Sequence, residues 1–131
     1  MKRIMLDTNA YVDFKRGNKT FINILNTSEE IALSSIVVGE LLAGFLGGTK
    51  FEKNNQELQD FFTSSRVSLI GIDEDTSLFY AKIYQHLKLK GNPIPTNDLW
   101  IAACAMQHGY ILCTNDKHFD YIDNLITHRL N

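Results

Sequence analysis

Apolar residues fall along this chain in short blocks broken by polar punctuation. Ile4-Met5-Leu6 is an uninterrupted apolar run that stops at Asp7-Thr8-Asn9, the pattern of a short buried strand with a helix to follow from near Ala10 towards Lys15. A second helix is expected over Thr20 to Asn26 and a second strand over Ile31 to Ser34, after which Ser35 is placed as a helix N-cap. The helix it opens, Ile36 to Leu46, is apolar at almost every position except Glu40 and closes at Gly47-Gly48, which predicts a buried helix. Phe51 to Ser65 carries Leu58, Phe61 and Phe62 at helical spacing among polar neighbours, and Val67-Ser68-Leu69-Ile70 reads as a strand.

Beyond Asp73, a helix cap, Phe79, Ile83 and Leu87 recur every fourth residue on a long helix that Gly91 terminates. Asn92-Pro93-Ile94-Pro95 reads as a tight surface loop. Thr96 is placed as the cap of a helix carrying Asp98 near its start and Ile101, Ala102, Ala105 and Met106 towards a core, with Gly109 at its end. Tyr110 to Thr114 is a strand stopping at Asn115-Asp116, and Leu125-Ile126-Thr127 is a candidate edge strand. Strands alternating with helices at this spacing imply a mainly parallel sheet covered on both faces, a three-layer α/β/α fold. Ligands in such sheets sit beyond the carboxyl ends of the strands, where both Asp7 and Asp116 fall.

Composition narrows the class. A chain of 131 residues, 44% hydrophobic and 21% charged, suits one globular domain over 1–131 with a core of its own. Asp7 interrupts the apolar N-terminus before a signal-peptide core or a membrane span could form, so a cytoplasmic protein is expected. Cys104 and Cys113 have no partner at metal-ligand spacing and read as buried reduced thiols. A formal net charge of -2 argues against non-specific coating of nucleic acid, which needs many Lys and Arg contacts to phosphate. It does not exclude a nuclease, because acidic metal ligands lower the formal count. Lys15, Arg16 and Lys19, with Lys50, Lys53, Lys88 and Lys90 elsewhere, are either solvated surface or phosphate contacts.

Asp7, Glu40, Asp98 and Asp116 each follow or interrupt an apolar stretch, where a charge is costly unless paired or metal-bound. Glu40, flanked by Val37, Val38, Leu41 and Leu42, is expected to point inward. With only Lys117 as a near basic neighbour of Asp116, a hard cation with oxygen ligands, magnesium or manganese, is the cheapest way to neutralise converging carboxylates. His86, His108, His118 and His128 show no HExxH or Cys/His pairing, so each reads as a surface or capping residue and zinc is disfavoured. Gly44, Gly47 and Gly48 lack the Gly-Lys-Ser/Thr of a phosphate loop, and Ser34 and Ser35 lie outside any GxSxG elbow.

Four blocks together resemble the PIN domain, and within it the VapC-type toxin nucleases of bacterial toxin–antitoxin pairs. Ile4-Met5-Leu6-Asp7-Thr8-Asn9 is similar to the family's opening strand and Asp-Thr-Asn/Ser signature, and Ser35-Ile36-Val37-Val38-Gly39-Glu40-Leu41 to its Ser and Glu-Leu. Asn97-Asp98-Leu99-Trp100-Ile101-Ala102-Ala103 resembles its Asp-x-x-Ile-Ala-Ala helix, and Thr114-Asn115-Asp116-Lys117-His118-Phe119 its Thr-x-Asp-x-x-Phe turn. The resemblance implies that Asp7, Glu40, Asp98 and Asp116 are metal-binding catalytic acids, with Thr8, Asn9, Ser35 and Thr114 orienting carboxylates or waters. Members often carry another Asp where this chain has His118, so no ligand role is carried over to that position; the neighbouring acid Asp120 is either a substitute or, the favoured reading, a surface charge.

The implied reaction is hydrolysis of RNA by a metal-activated water with the 3′ oxygen leaving, so that the 2′-hydroxyl is not chemically required. Single-stranded or looped RNA suits a shallow acidic site. The resemblance also implies a homodimer and an antitoxin partner, for which Ile36 to Leu46 and Phe45, Phe51, Phe61 and Phe62 are candidate interfaces, although core packing explains most of them equally well. Two rivals stand against this reading. A haloacid-dehalogenase-like phosphatase normally needs a second Asp at the position of Asn9, and a PIN-like domain that binds without cleaving would be expected to have lost one of the four acids.

Overall fold

The computed structural model describes residues 3–130. Five strands form one all-parallel sheet: β1 (Arg3–Leu6), β2 (Glu30–Ser34), β3 (Val67–Ile70), β4 (Ile111–Cys113) and β5 (Thr127–His128), in the order β3-β2-β1-β4-β5. The helices are α1 (Thr8–Lys15), α2 (Lys19–Thr27), α3 (Ser35–Gly47), α4 (Phe51–Phe62), α5 (Glu74–Lys90) and α6 (Thr96–His108), with a 3-10 turn over Lys117–Tyr121. The expected three-layer α/β/α class is the one observed. The central strands are apolar at consecutive positions because helices cover both faces, and Ile4, Met5, Leu6, Ala32, Leu33, Leu112 and Cys113 are all buried. No helix among the described residues is long and apolar enough to cross a membrane.

Strand order reverses direction at β1, with β2 and β3 on one side and β4 and β5 on the other. The crevice at such a switch point, beyond the strand ends, is where ligands bind in open parallel sheets. Leu6 pairs with Cys113 across it, so the next residues, Asp7 and Thr114, are neighbours at the same edge.

Local chemistry explains the helix ends, with two corrections of one residue. Ser34, not Ser35, is the N-cap of α3: its buried hydroxyl accepts from the Val37 N–H at 3.2 Å, and Ser35 is the first helical residue. Thr96 likewise lies inside α6, whose N-cap is Pro95 with no capping side chain. Asp73 caps α5 as expected, in a reciprocal capping box with Thr76. Gly91 and Gly109 end α5 and α6 in the left-handed region, at φ 74° and 71°, which favours glycine.

The third correction concerns α3. Its apolar sequence suggests a buried helix, yet among its residues only Val37 and Leu41 are buried among the apolar core, and Leu46 is 68% exposed. Val37 and Leu41 face the sheet, Ile36, Val38, Leu42 and Phe45 are half-buried against the core, and Ala43 and Leu46 face outward. The cysteine expectation agrees with the structure, since both thiols are free and buried, and burial pushes Cys104 up to about 11 and Cys113 up to about 12.

Candidate metal centre

Each of the four acids reaches the carboxyl edge of the sheet for a local reason. Asp7 leaves β1 as the N-cap of α1, where its Oδ1 accepts from the Ala10 N–H at 2.8 Å. Its Oδ2 accepts from the Thr114 hydroxyl, which in turn accepts from the Asp116 N–H at 2.9 Å. Thr114 therefore ties together the two chain segments that the β1–β4 pairing brings side by side. Asp116 caps the 3-10 turn by accepting from the His118 N–H at 2.9 Å. Asp98 lies in the first turn of α6, where the helix dipole favours a negative charge. Glu40 comes from the middle of α3, and its two oxygens accept from the Thr8 hydroxyl at 2.7 Å and the Asn97 amide at 3.3 Å.

Asp7, Glu40, Asp98 and Asp116 line one cleft of about 170 Å³, together with Thr8, Asn9 and Ile101. Clustering leaves an electrostatic mark. Asp7, only 4% exposed, is pushed up to about 6, first by desolvation and further by the nearby charges of Asp116 and Asp98, against the lowering effect of its bonds from Thr114 and Ala10. Asp98 is raised as well, again chiefly by burial, with the His118 hydrogen bond opposing. Among the described residues no Lys or Arg forms an ion pair with any of the four. Carboxylates gathered in this way without a Lys or Arg partner fit a hard divalent cation, which takes oxygen ligands.

A PIN-domain family model matches residues 4–125. The chain belongs to the PIN-domain family. Its VapC-type character is shown by relatives that align along nearly their whole length. Ribonuclease VapC2 of Rickettsia felis is 36% identical over 127 residues, 93% of each chain, and Ribonuclease VapC1 of Haemophilus influenzae strain R2866 is 31% identical over 126 residues, 92% of each. Among solved structures, VapBC2 from Rickettsia felis bound to a DNA fragment from their promoter superposes with a TM-score of 0.85 at 33% identity, covering 98% of both chains. VapBC-1 from nontypeable Haemophilus influenzae gives a TM-score of 0.86 at 28% identity, covering 99% of this chain and 98% of that one.

Not every residue singled out in the sequence of this PIN domain meets the cleft in the same way. Thr8 and Thr114 hold carboxylates, and Asn9 lines the cleft. Ser35 is exposed, and its hydroxyl donates to the Ile70 carbonyl at 3.4 Å, so it orients no carboxylate. Asp120 pairs with Arg129 and stays outside the cleft. Two contributors escaped the sequence reading. Asn97 supports Glu40, and His118, expected as a surface or capping residue, turns its Nδ1 to Asp98 Oδ2 at 2.9 Å and Asp116 Oδ1 at 3.2 Å. Only the departure from the family's Asp at that position marked His118 in the sequence.

Proposed function

We propose that this chain is a magnesium- or manganese-dependent endoribonuclease and the toxin of a toxin–antitoxin pair. The observation that carries the reading is the convergence of Asp7, Glu40, Asp98 and Asp116 at the topological switch point, with Asp7 raised to about 6 and no Lys or Arg paired to any of them among the described residues. Relatives named as ribonucleases, aligned end to end, support the substrate class. The VapBC names of the matching structures support a VapB-like antitoxin partner.

Asp7, Glu40, Asp98 and Asp116 would hold the cation, which when bound supplies Lewis acidity towards the phosphate and lowers the pKa of a water. The chain's own residues preorganise that site. Thr114 fixes the distance between Asp7 and the Asp116 backbone, while Thr8 and Asn97 hold both oxygens of Glu40. Such supporting bonds keep negatively charged groups aimed at one point before substrate arrives, which lowers the reorganisation the reaction requires. The cleft opens at the carboxyl edge of the sheet, where unpaired backbone can reach it without a duplex being opened. The outward apolar surface of α3, with Leu46 the most exposed of its large residues, is the face we assign to protein partners, a second copy or the antitoxin.

Product ends test the chemistry. Cleavage of single-stranded RNA should leave 5′-phosphate and 3′-hydroxyl ends, so the new 5′ ends resist kinase labelling until a phosphatase is applied. A substrate with one 2′-deoxynucleotide 5′ to the cut should still be cleaved there. Ends that label directly, with 2′,3′-cyclic phosphates upstream, would mean attack by the 2′-hydroxyl and overturn the assignment.

A further inference from the structure

Among the described residues, His118 is the one imidazole within hydrogen-bonding reach of the cleft's acids. Donor atoms of Asp98, Asp116 and His118 all lie within 4.8 Å of one another. Its Nδ1 is 2.9 Å from Asp98 Oδ2 and 3.2 Å from Asp116 Oδ1. An octahedral cation with bonds of about 2.1 Å sets neighbouring donors about 3.0 Å apart, so His118 Nδ1 already stands from each of the two carboxylate oxygens at the spacing of adjacent ligands. The turn holds the ring there. Asp116 accepts from the His118 N–H, and the next residue, Phe119, is buried at 1% exposure and anchors the turn to the core. Lys117, between the two, is exposed.

We propose that His118 Nδ1 is a direct ligand of a divalent cation held with Asp98 and Asp116, and that it biases this PIN domain towards manganese over magnesium. The proposal rests on the metal-nuclease reading above and adds a nitrogen ligand where the family commonly has a carboxylate. Manganese, a transition ion, accepts an imidazole nitrogen more readily than magnesium, which holds to oxygen donors, so one nitrogen in the set shifts the choice between these two cations. Coordination uses the Nδ1 lone pair of the neutral ring in the tautomer whose proton sits on Nε2.

The test is the electron spin echo of manganese bound to the full-length protein in frozen solution, read for 14N modulation from a coordinated imidazole. Calorimetric titrations with manganese and magnesium run in parallel on the wild type, His118→Asp and His118→Gln. The expected result is nitrogen modulation in the wild type and none in either variant. The manganese-to-magnesium affinity ratio should fall about tenfold in His118→Asp, the size of effect that changes around a metal site produce. Manganese bound without nitrogen modulation overturns the ligand role while leaving the carboxylate site standing, with His118 reduced to a hydrogen-bond donor to Asp98. No manganese binding at all overturns both. The wild-type spectrum decides the ligand assignment even should a variant fail to fold.

Discussion

Replacing Asp7 by Asn should stabilise the metal-free protein while destroying its response to metal. The carboxyl of Asp7 is raised from 3.8 to about 6, chiefly because it is 4% exposed, with Asp116 and Asp98 adding repulsion. For an acid the sign is unfavourable above neutrality. The unfolded chain ionises Asp7 near its ordinary value while the folded chain resists, so stability falls as pH rises from about 4 to about 6 and stays low above it. At roughly 1.4 kcal/mol per unit the penalty approaches 3 kcal/mol at pH 7.5. The amide keeps the acceptor for the Ala10 N–H but turns an N–H₂ towards Thr114, whose hydroxyl then loses its acceptor, an offset of about 1 kcal/mol.

The net gain is on the order of 1–2 kcal/mol, or about 5 °C in the unfolding midpoint. Thermal unfolding in EDTA, run at a series of pH values from 4 to 8, would show the variant above the wild type at pH 7.5 and the difference closing near pH 4. Millimolar magnesium should raise the midpoint of the wild type alone. A variant less stable than the wild type at pH 7.5 in EDTA would refute the claim that this carboxylate is held against its own charge.

Three further substitutions probe the supporting bonds. Glu40→Gln should weaken manganese binding in calorimetry while keeping the unfolding midpoint within a few degrees, because repulsion among the carboxylates is relieved as one acceptor from the Thr8 and Asn97 pair is lost; unchanged cleavage by this variant contradicts the site assignment. Thr114→Val keeps the shape of a side chain 1% exposed but leaves the Asp116 N–H unpaired and removes a donor to Asp7, so urea unfolding should show a loss of about 2–3 kcal/mol; a near-neutral result would mean that Thr114 does not tie the two segments. Arg129 donates to the Asn115 carbonyl at 2.5 Å and pairs with Asp120, holding the turn that carries Asp116, so Arg129→Ala should cost about 1–2 kcal/mol in the same assay and weaken manganese binding severalfold.

Much of this arrangement was legible because a parallel sheet buried on both faces writes its strands as apolar runs. Ile4-Met5-Leu6 and the block ending at Cys113 stand out for that reason, and an acid closing such a run invites an explanation. Asp7 and Asp116 were therefore visible as strand-end residues, and Glu40 as an exception within α3. Register at the helix caps was not legible, since Ser34 and Ser35 are chemically equal and only the backbone decides which hydroxyl reaches the Val37 N–H. Asn97 and His118 were hidden for a different reason: Glu40 lies 57 residues from Asn97 and Asp98 lies 20 from His118, and no local pattern records such an approach. The sequence left α3 open between core and interface, because an all-apolar helix looks the same whether a core or another protein covers it.

The claim that matters most is that these four carboxylates form a cation-dependent nuclease site. Purified protein should be incubated with a mixed-sequence single-stranded RNA in magnesium, in manganese and in EDTA, beside Asp7→Asn and Asp98→Asn. Cutting that requires a divalent cation and disappears in both variants is the predicted result. Cutting that persists in EDTA, or that survives either substitution at the wild-type rate, would place the chemistry elsewhere on the molecule.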